Sequence, residues 1–311
     1  MATISGTCDA RFARVREAFE QNFAERGEVG ASVCVTLEGE RVVDLWGGLK
    51  SPETNEPWKE DTVSLVWSST KGATGLCANI LASRGLLDFD APVVKYWPEF
   101  GKAGKDRITV AMLLNHQAGL AALRKTLPDG AFYDWPVMVR ALEEEAPWWP
   151  PGTRHGYHGF TFGWLVGEVV RRVSGKAVGQ FFQDEVAGPL GLDFWIGTPE
   201  TIEPRISKMI LAPLLGGMSP SAGVRLVQSP VMPALMWLTR KLSPQRVAAM
   251  APFMVTALSD KSSLQGRMLF NTGGYNSNPT EFDSRRAHAA EIPSAGGITN
   301  ARGLAGMYAP L

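Results

Sequence analysis

Ser68 and Lys71 stand three residues apart in the run Trp67-Ser68-Ser69-Thr70-Lys71-Gly72. A serine hydroxyl is a weak nucleophile at neutral pH unless a base lies within hydrogen-bond reach. On a helix, side chains three apart share a face. A lysine one turn along can therefore take the serine's proton, once burial or nearby positive charge lowers its pKa. The run from Ser69 to Ala82 has helical spacing, which places Ser68 at a helix start. There its backbone N–H and the positive end of the helix dipole face a developing oxyanion. The chemistry this arrangement supports is acyl transfer to a serine. Ser-x-x-Lys is also a short pattern with a plain structural alternative, a capping serine followed by a solvated lysine. Ser69 or Ser64 could take the capping role.

Other candidate groups are fewer. His155 and His158 flank Tyr157, but a His-x-x-His pair with no third ligand makes a poor metal site. His288 has no evident companion, and no Gly-x-Ser-x-Gly elbow is present, which disfavours an α/β-hydrolase triad. No cofactor and no metal are expected.

The elements that must carry these residues can be read from periodicity. Phe12, Val15, Phe19 and Phe23 are helically spaced within Arg11 to Arg26 and predict an opening helix. Ala31 to Leu37 and Arg41 to Trp46 are two β-type runs around Glu38-Gly39-Glu40, a β-hairpin. After the nucleophile segment the pattern is mostly helical. A helix opens with Thr109 as N-cap within Ile108 to His116, another covers Thr161 to Val173, and a third covers Val178 to Val186. Proline and glycine mark loops around 147–159, 188–199 and 213–223, and Asn271 to Asp283 reads as an exposed polar excursion. Ala301 to Leu311 has a helical stripe of Leu304, Met307 and Tyr308. No other clear strand run accompanies the hairpin, and two strands alone make a marginal sheet.

Six segments carry a resemblance. In chain order they are Ser68-Ser69-Thr70-Lys71, Leu86-Leu87-Asp88-Phe89-Asp90-Ala91-Pro92-Val93, and Ile108-Thr109-Val110 through Leu113-Leu114-Asn115-His116-Gln117-Ala118-Gly119-Leu120. Then come Pro151-Gly152-Thr153-Arg154-His155-Gly156-Tyr157, Gly188-Pro189-Leu190-Gly191-Leu192, and Ala295-Gly296-Gly297-Ile298-Thr299-Asn300-Ala301. Through nearly its whole length the chain resembles the family of class C β-lactamases, penicillin-binding DD-peptidases and family VIII carboxylesterases. The resemblance implies an α+β fold, with an antiparallel sheet flanked by helices and a mostly helical domain. It divides the chain into 1–66, the N-terminal helix and hairpin of the α/β domain, and 67–311, the helical domain with the nucleophile and tyrosine motifs. It assigns Ser68 as nucleophile, Lys71 as base and Tyr157 as the partner of Lys71 that passes the proton to the leaving group. A loop phenol without catalytic role is the structural alternative for Tyr157. His116 falls on a structural position at a helix end.

The chain departs from the family pattern twice. In the lactamases an asparagine that binds the substrate amide follows the tyrosine by two residues; here that residue is Gly159. The exchange favours esters, with weak lactam turnover left open. The family's third motif, Lys-Thr-Gly or a variant on an edge strand, supplies a second oxyanion N–H. No Lys-Thr-Gly occurs here, and the chain stops at Leu311 soon after Gly296-Gly297. The resemblance therefore implies an incomplete sheet that lacks its C-terminal strands. It also implies a missing oxyanion donor, worth about 3–4 kcal/mol unless supplied from elsewhere.

Three functional readings follow. The first is a carboxylesterase acting on short-chain esters; Trp148, Trp149, Phe160 and Phe162 either line its acyl slot or belong to the core. The second is a β-lactamase or D-amino-acid amide or peptide hydrolase on the same site. The third is a weak or silent homologue that acts as a scaffold through an exposed sheet edge.

Composition bounds these readings. Lysine plus arginine equals aspartate plus glutamate at 31 each, so there is no electrostatic footprint for nucleic acid or an anionic membrane. A small-molecule ester or amide is the expected partner, and homo-oligomerisation is left open. Three cysteines, Cys8, Cys34 and Cys77, give no disulfide framework and read as buried thiols in a reducing compartment. Met1 to Phe12 lacks a signal-peptide core, and no apolar run reaches about 18 residues, so a cytoplasmic protein is expected.

Overall fold

A computed structural model describes residues 2–210, 256–257, 260–274 and 279–310. The loop expected at 213–223 lies outside the described residues. Contacts divide the chain into two compact units: Met1–Asp88 with Val166–Met209 and Phe282–Leu311, and Phe89–Leu165 with Ile210–Glu281. The strands are β1 (Ile4–Cys8), β2 (Gly30–Leu37), β3 (Glu40–Ser51), β4 (Glu56–Pro57), β5 (Ser64–Leu65), β6 (Phe194–Ile196) and β7 (Gly297–Thr299). The helices are α1 (Ala13–Glu25), α2 (Thr70–Ser83), α3 (Val110–Leu114), α4 (Trp135–Glu144), α5 (Thr161–Ser174), α6 (Val178–Phe182), α7 (Leu264–Phe270), α8 (Arg285–Ala289) and α9 (Ala301–Tyr308).

In the first unit the expected hairpin is present as β2 and β3. Glu38 and Gly39 both take positive φ, 52° and 83°, which is the turn a two-residue hairpin needs to match strand twist. Val43 and Leu45 alternate onto one face of β3 and are fully buried against Phe19 of α1, which covers the sheet. The expectation of a lone hairpin is corrected. β1 pairs antiparallel with β3, giving the order β1-β3-β2, and β4 pairs with β3 as well. β1 reads Ile-Ser-Gly-Thr-Cys and has no apolar alternation, because as an outer strand it draws its stability from the β3 ladder. A second sheet, β5-β7-β6, is assembled from strands of two or three residues contributed by three distant parts of the chain. Val63, Ile202, Ile206 and Ile298 form a buried cluster beside it.

The helix expected after Ser68 is α2, which buries Ala73, Thr74, Cys77, Ala78 and Leu81. The single helix expected over Val178 to Val186 is α6 followed by a π-turn, Gln183–Ala187. Cys77 is fully buried, whereas Cys8 and Cys34 are half-buried; all three are free thiols.

In the second unit Thr109 caps α3 as expected, its hydroxyl accepting the Met112 N–H at 3.3 Å. Lys105 is fully buried, with Nζ donating to the Glu143 and Glu145 carbonyls at 2.9 and 2.6 Å. These carbonyls lie at the C-terminal end of α4, where a cation suits the helix dipole. Of the exposed excursion expected at Asn271 to Asp283, residues 275–278 lie outside the described residues, and its first part is corrected. Asn271 and Thr272 are buried, and Asn271 Nδ2 donates to the Leu123 carbonyl at 2.7 Å. Polar residues go inside when their groups are hydrogen-bonded.

Candidate active site

The segment that carries Ser68 is a 3-10 turn, Trp67–Ser69, leading directly into α2. Ser68 is exposed at its centre. Ser69 occupies the N-cap position with helical angles and no side-chain cap bond, so it does not serve as the cap. One helical turn on, Lys71 Nζ lies 3.1 Å from Ser68 Oγ. Nζ also donates to the carbonyl oxygen of Ser294 at 2.8 Å. Burial pushes the lysine ammonium down to about 7, because desolvation penalises its charged form. The pair thus has the spacing that proton transfer from a serine hydroxyl to an amine requires.

The segment Pro293–Gly297 holds this turn along its length. The Pro293 carbonyl accepts from Thr74 Oγ1 at 2.6 Å. The Gly297 carbonyl accepts the Val66 N–H at 2.9 Å, and the Gly297 N–H donates to Thr70 Oγ1 at 2.8 Å. Reasoning from sequence missed Thr70, Ser294 and Gly297 as members of this assembly. The glycine pair Gly296-Gly297 was the available signal, since a Cβ at Gly297 would stand 2.6 Å from Thr70 Oγ1.

Tyr157 belongs to the second unit and is half-exposed there. Its ring lies edge-on to His116 at 5.1 Å between centroids. His116 has φ of 65° and its Nδ1 accepts the backbone N–H of His158 at 3.2 Å. His158 is fully buried and its Nε2 accepts the Leu120 N–H at 3.0 Å. His155 bonds the Asn115 carbonyl through Nδ1 and the Gln117 amide through Nε2, both at 3.0 Å. These three histidines brace the loop that carries the tyrosine.

Gly156 and Gly159 bring that loop close to its neighbours. A Cβ at Gly156 would strike the Trp149 ring, and one at Gly159 would stand 2.6 Å from Met268 Sδ. Phe160 and Phe162 are buried, Phe160 meeting Phe132 edge-on at 5.1 Å, so both belong to the core. Trp148 and Trp149 donate through Nε1 to the Ala122 and Arg154 carbonyls at 2.7 and 3.0 Å. His288 sits in the first unit, its Nδ1 3.0 Å from Glu203. That carboxylate is the companion which could not be found in the sequence. Among the described residues, no group of three or more His, Cys, Asp or Glu is arranged to hold a metal ion.

The chain resembles known proteins along nearly all of its length. The chain is 33% identical over 309 residues to Esterase/beta-lactamase LipL of Mycobacterium tuberculosis, covering 98% of this chain and 63% of LipL. The crystal structure of a family VIII carboxylesterase superposes with a TM-score of 0.75 at 34% identity, covering 98% of this chain and 70% of that one. EstA from Arthrobacter nitroguajacolicus Rue61a superposes with a TM-score of 0.76 at 29% identity, covering 98% and 69%. The α+β fold is therefore that of the β-lactamase and penicillin-binding-protein type of esterase. Residues 15–310 match the Beta-lactamase family, and the chain belongs to it.

Proposed function

We propose that the chain is a serine hydrolase that cleaves carboxylic esters through an acyl-enzyme on Ser68. The observation that carries this reading is the 3.1 Å approach of Lys71 Nζ to Ser68 Oγ, with the lysine's charged form weakened by burial. The neutral amine takes the Ser68 proton as Oγ attacks the ester carbonyl, and the carbonyl oxygen becomes an oxyanion facing the Ser68 N–H. Collapse expels the alcohol, which takes a proton relayed through Tyr157. Water then attacks the acyl-enzyme by the same route in reverse. Tyr157 enters on its motif, Pro151 to Tyr157, and its ring is half-exposed.

Esters are favoured over amides by Gly159. No hydrogen-bonding side chain stands there, and the apolar thioether of Met268 covers the place. The relatives, an esterase/β-lactamase and a family VIII carboxylesterase, support the same reaction class.

The test is labelling of the pure chain with a fluorophosphonate, beside turnover of p-nitrophenyl butyrate and a chromogenic cephalosporin. The reading expects label on Ser68, butyrate turnover above cephalosporin turnover, and loss of both label and turnover in Ser68→Ala. A chain that leaves Ser68 unlabelled is the scaffold. Faster cephalosporin than butyrate turnover reassigns the site to amides.

A further inference from the structure

We infer that Thr70 is a positioning residue that aims the backbone N–H of Ser68, the oxyanion donor of the proposed reaction. The inference rests on the Ser68 reading and goes beyond it. Trp67 has φ of +45°, in the left-handed region that a bulky side chain avoids. Such a conformation persists only when its surroundings over-determine it.

Thr70 provides that restraint. It is fully buried, and its Oγ1 donates to the Trp67 carbonyl at 2.6 Å. The backbone N–H of Thr70 reaches the same carbonyl. The hydroxyl rotor is not free to point elsewhere. Its oxygen accepts the Gly297 N–H at 2.8 Å, and an N–H can only donate, so the hydroxyl hydrogen goes to Trp67.

The Trp67 carbonyl and the Ser68 N–H belong to one planar trans peptide unit and point in opposite directions. Fixing the carbonyl therefore fixes the line of the N–H. Gly297 locks the far side as well, since its own carbonyl accepts the Val66 N–H at 2.9 Å. The turn carrying Ser68 is thus held from β7 at both its ends, and Thr70 passes that restraint to the peptide whose direction matters for chemistry. Thr70 touches no reacting atom, so its effect should appear in the rate and not in substrate binding.

The experiment compares the whole chain with Thr70→Val, which keeps the shape and loses the hydroxyl, and Thr70→Ser, which keeps the hydroxyl. Thr70→Ala serves as a second route to the same loss if the valine variant does not fold by circular dichroism. Rates of fluorophosphonate labelling and kcat and KM for p-nitrophenyl butyrate are measured per labelled Ser68. The valine variant should lose about 10- to 100-fold in both rates, a part of the 10²–10³ that follows removal of a whole oxyanion donor. KM should stay within about twofold and the serine variant within about threefold of wild type, because only transition-state contacts are disturbed. A valine variant that labels at more than about half the wild-type rate per site would overturn the inference. So would an equal loss in the serine variant, which would make the methyl group the cause. If the wild-type chain itself fails to label at Ser68, the functional reading falls and this inference falls with it.

Discussion

Lys71 Nζ lies 2.8 Å from the carbonyl oxygen of Ser294, a residue 223 positions further along the chain, while it stays 3.1 Å from Ser68 Oγ. The carbonyl pins an otherwise flexible amine in one place, and burial there weakens its charge.

The pH dependence of activity follows from that burial. In the proposed reaction Lys71 serves as a neutral amine, and burial pushes its pKa down to about 7. Labelling of Ser68 should rise tenfold per pH unit below that value and level off above it. The stability consequence has a definite sign. The unfolded lysine titrates at about 10.4, so between about 7 and 10.4 the unfolded chain binds the extra proton and native stability increases with pH. Thermal melts at about pH 7 and about pH 9 should show wild type gaining on Lys71→Met. A rate profile with its midpoint near the free-lysine value of about 10 would show that burial does not depress this amine, and an unchanged profile in Lys71→Met would remove Lys71 as the base.

The contact between Gly159 and Met268 predicts a non-additive pair. Gly159→Asn forces a side chain into the space that Met268 Sδ occupies. Overpacking of this kind costs about 1–3 kcal/mol. Met268→Ala should relieve most of that cost, so the double variant melts above the sum of the two singles. Its ratio of cephalosporin to butyrate turnover should also rise. Strict additivity in denaturation would show that the two residues do not share one space.

Glu168 is a fully buried carboxylate on α5 that accepts from Arg171 Nε and Nη2 at 2.8 and 2.7 Å and from Arg172 Nε at 2.7 Å. Arg171 and Arg172 keep 46% and 26% of their side-chain surface in water, so removal of the buried carboxylate costs chiefly its charge-assisted hydrogen bonds, about 1.5–3 kcal/mol. Glu168→Ala should lose that much in urea denaturation while the labelling rate per folded molecule stays at the wild-type value. A loss under about 1 kcal/mol would mean that the arginines are hydrated as well without it.

Lys105 makes a similar claim in the second unit. Its Nζ satisfies the Glu143 and Glu145 carbonyls, and Trp97 Nε1 donates to Glu143 Oε1 at 2.8 Å. Lys105→Met keeps the volume and strands both carbonyls, each at about 1–3 kcal/mol. Chemical denaturation should register a loss of at least about 2 kcal/mol. An unchanged midpoint would show that the carbonyls find water.

Much of the helical part of the fold was legible in the chain because its signals are local. The Thr109 cap and the apolar stripes of α1 and α5 each fall within a few residues of the element they mark. The second sheet was not legible. Ser64 pairs with Thr299 and Phe194 with the same Thr299, and strands so short have no periodicity to display. β1 was hidden for a related reason, since its pairing residues are mostly polar and only β3 makes them a strand. Asn271 and Thr272 looked like surface residues because hydrogen-bond satisfaction, not polarity, decided their burial.

The sequence by itself determined the serine and the lysine one turn apart, because a separation of three on a helix is a fact of backbone geometry. Only the tertiary structure decided how that pair behaves. The depth at which Lys71 is buried sets its pKa, and the Ser294 carbonyl that fixes its amine comes from a segment beyond any local pattern. The left-handed Trp67 and its restraint by Thr70 and Gly297 likewise exist only once β7 has closed on the nucleophile turn. Desolvation and hydrogen bonds between distant segments depend on what folding brings together, and no spacing along the chain encodes them.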